Sequence, residues 1–301
     1  MNGAFPYFDG HCDTLTLSGE PSVRIGEERF SKRGQIFAVC DDRGVQKDLT
    51  YFRRALSRLA ELPDVMLCRD GTEIRSANAN GKIAAVIDIE GAGIVNYDPE
   101  LLDGAYELGA RVLGLTHNRY NGLVGSCVEE PEQGLTEAGR TFAAHAIALN
   151  MVLDISHMSD RGAAELLELP HAHVIASHSN ARAVCDHPRN LPDALFLQLI
   201  RHKGVCGLNL YDPFVRSGGG AALEDVVRHA DHFLSLDPHA EYYLALGCDF
   251  DGCDVLAGGL RATPQLDALA EEFLRRNYPE DLVENLFYYN LFRCLCNNLM
   301  A

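Results

Sequence analysis

The stretch Lys82-Ile83-Ala84-Ala85-Val86-Ile87-Asp88-Ile89-Glu90 decides how this chain is read. It is almost unbroken apolar sequence, and it ends on a carboxylate followed by Gly91. A strand that is apolar at consecutive positions is covered on both faces. That is the habit of strands in parallel sheets with helices on their faces, rather than of half-exposed antiparallel ribbons.

Runs of the same kind recur on both sides of it. Upstream lie the aromatic run Phe5, Tyr7, Phe8 and the run 35–40, with a minor apolar piece at 65–68. Downstream lie 111–117, 151–157, 173–178, 204–210 and 242–249. Helical spacing fills the intervals. It covers 45–62 (Leu49, Phe52, Leu56, Leu59, closed by Pro63), 99–109, 136–150, 192–203 and 223–236. Ser159 or Asp160 caps a further helix to Leu169, 76–80 reads as a polar break, and two helices at about 264–276 and 279–298 close the chain. Eight main strands alternating with helices predict a (β/α)8 TIM barrel, with residues 1–301 as one catalytic domain and helices 264–298 packed on it. An open doubly wound sheet is the alternative, weakened because no Gly-x-Gly-x-x-Gly opens a helix after the first strand.

Composition narrows the function. The formal charge is −17, from 43 acidic and 26 basic residues, which opposes a nucleic-acid partner. No apolar run is long enough for a membrane helix, and no leader pattern opens the chain. The ten cysteines are scattered without a Cys-x-x-Cys pair, as expected of reduced, mostly buried thiols in a cytoplasmic protein.

Polar residues then recur at one kind of place. His11 and Asp13, Glu90, His117, His157, His178 and Asp249 all stand at C-terminal ends of predicted strands. In a (β/α)8 barrel that rim carries the active site. His11 and Asp13 are two apart, so on an extended strand they share a face. Three histidines with two carboxylates suffice to hold two divalent ions with Glu90 bridging. Such ligands suit Zn²⁺, with Mn²⁺ or Co²⁺ as alternatives. Two ions can share a water, lower its pKa and polarise a carbonyl, while a carboxylate such as Asp249 moves a proton. Seven other histidines (145, 171, 187, 202, 229, 232 and 239) read as surface or helix residues.

The chain resembles the membrane (renal) dipeptidase family, the metallo-dipeptidases of the amidohydrolase superfamily. The resemblance rests on Asp9-Gly10-His11-Cys12-Asp13, Ile89-Glu90-Gly91, Leu115-Thr116-His117-Asn118, Asp154-Ile155-Ser156-His157, Ala176-Ser177-His178-Ser179, Pro188-Arg189-Asn190 and Gly247-Cys248-Asp249-Phe250-Asp251-Gly252. It implies a binuclear zinc barrel in which His11, Asp13 and Glu90 bind one ion and Glu90, His157 and His178 the other. It further implies that a metal-bridging hydroxide is the nucleophile, that His117 stabilises the oxyanion, that Arg189 binds the substrate carboxylate, and that Asp249 transfers the proton. Arg182 stands nearer the His178 strand, and Asp251 shares the motif with Asp249, so each is an alternative. The expected partners are free dipeptides, often with a C-terminal D-residue, and a homodimer is compatible with the sequence. Pocket loops at about 14–34 and 118–134 would set side-chain preference.

Two other classes compete. A metal-dependent phosphoesterase or other amidohydrolase could use the same barrel, although such enzymes more often open with His-x-His, and the acidic charge disfavours polyanions. A non-catalytic metal-binding barrel would have no need of His117, Arg189 and Asp249 beside the ligands.

Overall fold

The structure, a computed structural model, describes residues 5–17, 22–23, 30–40 and 45–299. The chain starts with strands β1 (Tyr7–Cys12) and β2 (Arg33–Cys40), helix α1 (Thr50–Glu61), the short β3 (Val65–Leu67) and α2 (Gly71–Ala79). It then alternates: β4 (Ile83–Glu90), α3 (Pro99–Leu108), β5 (Ala110–Gly114), α4 (Glu137–Ala148), β6 (Val152–Asp154), α5 (Asp160–Leu167), β7 (His173–Ile175) and α6 (Asp193–Arg201). After β8 (Cys206–Leu208) come α7 (Asp212–Val215), α8 (Leu223–Leu236) and β9 (Leu244–Leu246). The closing helices are α9 (Leu266–Arg275), α10 (Glu280–Glu284) and α11 (Asn290–Asn298), with a π-helical turn Asn285–Tyr289 between the last two.

All strand pairs are parallel, in the order β7-β6-β5-β4-β2-β1-β9-β8. A bridge from Ala176 to Cys206 joins the ends of that order, so eight strands form the predicted barrel. The ninth, β3, pairs only with the first half of β4, at Ile83–Ala85, on the edge that β5 uses from Ile87 onward.

β4 shows why its apolar run is continuous. Ala85, Ile87 and Ile89 pack outward in the core shared with the helices. Ala84 and Val86 point inward and meet Phe8, Ile36, Val112, Val152 and Ile175. The same inner cluster includes Tyr288, Leu291 and Leu295, so the C-terminal helical segment plugs the bottom of the barrel. With a period of two, the next inward residues toward the top are Asp88 and Glu90. The interior thus changes from apolar to acidic along one strand.

Several boundaries differ from the sequence reading. Residues 76–80 are not a break. Most of them lie in α2, whose N-cap Asp70 accepts from the Thr72 and Glu73 amides, and whose Ile74 and Ala77 are buried. Helix α1 starts at Thr50, not at 45. The expected loop 14–34 ends earlier, because Arg33 and Gly34 already pair in β2; its residues 18–21 and 24–29 lie outside the described residues. Ser159, rather than Asp160, caps α5. The strands β6, β7 and β9 are shorter than expected. His157, His178 and Asp249 therefore stand three residues beyond them. The backbone explains two of these: His157 (φ 60°) and Asp249 (φ 62°) adopt left-handed conformations that cannot continue a strand.

Candidate metal centre

The rim residues converge on Glu90. Its Oε1 lies 3.1 Å from His157 Nε2, 3.5 Å from His11 Nε2 and 3.7 Å from both His117 Nε2 and His178 Nε2. His11 Nε2 is also 3.5 Å from Asp13 Oδ2. A register shift in β1 between Asp9 and Cys12 re-aims the end of that strand. Beyond it, the Asp13 amide donates to Phe250 O and the Asp249 amide to His11 O. These bonds bring Asp13 and Asp249 side by side, bracketing Gly252, where a Cβ would lie 2.3 Å from each carboxylate. Asp249 and Asp251 do not share a role in this geometry. Asp249 Oδ2 accepts from Asn209 Nδ2 at 3.0 Å, and its carboxylate groups with His11 and Asp13. Asp251 instead accepts from Thr14 Oγ1 and the Ser22 amide.

Three strand-borne glycines let His178 come close. A Cβ at Gly10, Gly207 or Gly247 would sit 2.0–2.5 Å from the Ser177 carbonyl oxygen. Only the absence of a side chain lets three neighbouring strands crowd that peptide. The His178 ring consequently stacks on His11, with centroids 3.8 Å apart.

His178 and His157 each have the outer nitrogen committed. His178 Nδ1 lies 2.7 Å from Ser177 Oγ, and that hydroxyl donates to Asp154 Oδ2. Asp154 Oδ1 also accepts from the Ser156 and Ser177 amides. His157 Nδ1 lies 3.0 Å from Asn118 Oδ1, and the amide nitrogen of Asn118 faces His117 Nε2 at 3.3 Å. With Nδ1 as the donor in both rings, each Nε2 presents a lone pair, and the two Nε2 atoms are 2.9 Å apart. Two lone pairs facing each other at that distance, with a carboxylate oxygen beside them, are repulsive unless a cation lies between. Tetrahedral zinc with bonds of about 2.0–2.1 Å to nitrogen separates two ligand nitrogens by roughly 3.3 Å, so the donor set fits a divalent ion. Burial holds both rings well below the usual histidine range, with Arg189 adding to the effect, which keeps those lone pairs available.

The carboxylates show the complementary effect. Burial raises Glu90 above the ordinary range, opposed by His117 and His11, and burial likewise raises Asp249. Asp88, one layer below Glu90, is pushed well up by burial and then by Asp154. His11 resists ionisation by its burial, yet Glu90, Asp13 and Asp249 hold it well above its usual range. Neither of its nitrogens has a hydrogen-bond partner among the described residues.

These groups open into a cavity of about 670 Å³, of small-ligand size. Arg189 is the one Arg or Lys among its described lining residues, against five carboxylates. Arg189 is buried, its Nη2 donates to His178 O at 3.3 Å, and its Nε has no partner among the described residues. Arg182 is engaged elsewhere, with Asp160 and with the Asn190 and Pro188 carbonyls. The loop 118–134 is tied to the His157 segment by the Cys127 amide, which donates to His157 O.

The sequence reading assigned no role to Ser177, Asp154, Asn118 or Asn209, which hold the converging side chains. It also passed over Cys40, Tyr211 and Phe214 in the cavity wall. Ser177 and Asn118 adjoin His178 and His117 in sequence; the others carry no such signal. Of the histidines set aside, His145 pairs with Asp103 and His232 with Asp193, while His229 lies on α8 and is fully buried.

A family model described as membrane dipeptidase (peptidase family M19) matches residues 30–299. A Klebsiella pneumoniae protein described as an uncharacterized protein in the pqqA 5' region is 31% identical over 241 residues, covering 77% of this chain and 88% of its own length. A metallo peptidase from Rhodobacter sphaeroides, liganded with a phosphinate mimic of the dipeptide L-Ala-D-Ala, superposes with a TM-score of 0.85. It is 27% identical and covers 97% of this chain and 99% of its own. The metallo peptidase called dipeptidase AC superposes with a TM-score of 0.86 at 27% identity, over 99% of this chain and 100% of its own. The chain belongs to the membrane dipeptidase family, peptidase family M19, and with it to the metal-dependent dipeptidases.

Proposed function

We propose that the protein is a zinc-dependent dipeptidase holding two ions per chain and cleaving free dipeptides, including those with a C-terminal D-residue. The observation that carries the metal reading is the pair of Nε2 atoms 2.9 Å apart beside Glu90, each ring fixed by its own Nδ1 partner. His11, Asp13 and Glu90 take one ion; Glu90, His157 and His178 take the other. Zinc suits this imidazole and carboxylate set. When bound, the two ions supply Lewis acidity toward the scissile carbonyl and lower the pKa of a water shared between them.

The protein's own groups do the rest. Arg189 is the one guanidinium among the cavity's described lining residues and takes the substrate carboxylate, whose charge is complemented by its Nε, without a partner among the described residues. His117 stands at the mouth of the centre and donates to the oxygen that gains charge. Asp249, raised by burial and oriented by Asn209, receives a proton and passes it to the leaving amine. The acidic remainder of the lining favours a substrate with a free ammonium group. The D-residue reading is supported by the L-Ala-D-Ala mimic bound by the Rhodobacter sphaeroides relative. A cytoplasmic location is supported by ten free cysteines, and among the described residues no helix is long and apolar enough to cross a membrane.

The test is a dipeptide panel with L,L and L,D members, assayed with and without chelator. Chelator-sensitive hydrolysis that extends to L,D members is expected. Hydrolysis of no member, or hydrolysis indifferent to chelation, contradicts the proposal.

A further inference from the structure

We propose that Cys40, His117 and Glu90 form an additional, inhibitory site for a soft divalent ion such as Cd²⁺ or excess Zn²⁺. Three adjacent strands bring these groups together. Cys40 ends β2 in register with Glu90 at the end of β4, and His117 follows β5 on the other side of β4. Cys40 Sγ is 3.7 Å from His117 Nδ1, and His117 Nε2 is 3.7 Å from Glu90 Oε1. One ligand atom from each of the three lies within 4.8 Å of the others. Tetrahedral zinc with bonds of about 2.3 Å to sulfur and 2.0 Å to nitrogen spaces those atoms by roughly 3.5 Å, so a rotation of the His117 ring that turns one nitrogen toward both Cys40 and Glu90 completes the set. All three residues line the cavity, which gives the ion a path and leaves its fourth position open to solvent.

The site differs in kind from the five-residue centre, which offers nitrogen and oxygen only. A sulfur ligand selects soft ions over Mg²⁺, Ca²⁺ and Mn²⁺. On binding, the Cys40 thiol gives up its proton to solvent and the thiolate sulfur bonds the ion; nothing is oxidised. His117 would then be held by that ion and turned from the reacting carbonyl. The inhibitory consequence rests on the reading of His117 as the oxyanion donor; ion binding does not.

Cadmium titration of the zinc-loaded enzyme tests both halves. A sulfur-to-cadmium charge-transfer band should grow to one equivalent and be absent from Cys40→Ser and Cys40→Ala. It should persist in Cys253→Ser, whose thiol also borders the cavity but donates to Asp249 O. Cadmium should inhibit the native enzyme, and Cys40→Ser should weaken that inhibition by at least about tenfold, the lower figure for losing even an outer partner of a metal ligand. Unchanged zinc content and unfolding temperature show that the variants fold. No band in the native enzyme, or an equal band in the Cys40 variants, overturns the site. A Cys40-dependent band without inhibition overturns the inhibitory role and the His117 reading, while chelator-sensitive hydrolysis tests the dipeptidase reading separately.

Discussion

Replacing Ser177 by alanine is the sharpest probe of how the chain prepares its centre. The hydroxyl accepts from His178 Nδ1 at 2.7 Å and donates to Asp154 Oδ2, so it is the middle of a carboxylate–hydroxyl–imidazole relay. Its removal leaves the buried His178 Nδ1–H without an acceptor, and Asp154 Oδ2 without its donor. Asp154 Oδ1 keeps the Ser156 and Ser177 amides. One unsatisfied buried donor costs about 1–3 kcal/mol, and the lost bond to a carboxylate about as much again. Roughly 2–6 kcal/mol of stability should therefore go. The metal effect is separate. Loss of an outer partner costs about 10–100-fold in affinity, or roughly 1.4–2.7 kcal/mol. The assay is residual metal and activity after equilibration against graded chelator, beside thermal unfolding. Ser156→Ala is the control: Ser156 Oγ accepts from the His178 backbone amide at 3.1 Å and lies 3.2 Å from Ser177 Oγ, but it leaves the Ser177 bonds to the ring and to Asp154 in place. It should lose stability with little change in metal affinity. Ser177→Ala with native metal affinity, or with no greater loss than Ser156→Ala, would refute the relay.

Arg189→Ala should raise KM for free dipeptides far more than for carboxyl-blocked ones, and equal effects in steady-state kinetics would remove Arg189 from carboxylate binding. Asp249→Asn, which keeps the shape beside Asn209, should lower kcat by about 10²–10⁴-fold at unchanged metal content; loss of metal instead would make Asp249 a ligand with His11 and Asp13. His229 is fully buried, accepts from the Ala181 amide at 3.1 Å and donates to Val215 O at 2.9 Å, so the fold needs its neutral form. Burial lowers its pKa in the folded state, so the unfolded chain binds more protons and stability from this residue is lost as pH falls through about 6.5. The stability advantage over His229→Gln in denaturant titrations should shrink between about pH 7 and 5; a pH-independent difference refutes a neutral His229.

The barrel was legible because its strands are apolar on both faces, a pattern helices and loops rarely copy. β4 shows this most clearly, since Glu90 simply occupies the next inward position after Val86 and Asp88. The convergence of His11, His117, His157 and His178 was legible for the same reason: strand ends in this architecture meet on one rim. Elements that depend on short polar sequence were not. Helix α2 is carried by a cap at Asp70 and two buried apolar side chains, Ile74 and Ala77, too little periodicity to stand out. Ser177, Asp154 and Asn118 are residue types that form turns as readily as they orient a histidine, and only coordinates separate the uses. Cys40 reads as one more apolar strand residue until His117 is placed 3.7 Å away. Asp249 and Asp251 could not be told apart by spacing, because both leave the strand in left-handed conformations and turn to different partners.

The proposed dipeptidase requires a metal held by the paired imidazoles beside Glu90. Metal stoichiometry per chain, measured on protein prepared without chelator for the native sequence and for His178→Ala, tests it most directly. Close to two zinc ions are expected in the native protein, with loss of one ion together with activity in the variant. Absence of metal from the native protein, or a His178→Ala variant with full metal content and full activity, would contradict it.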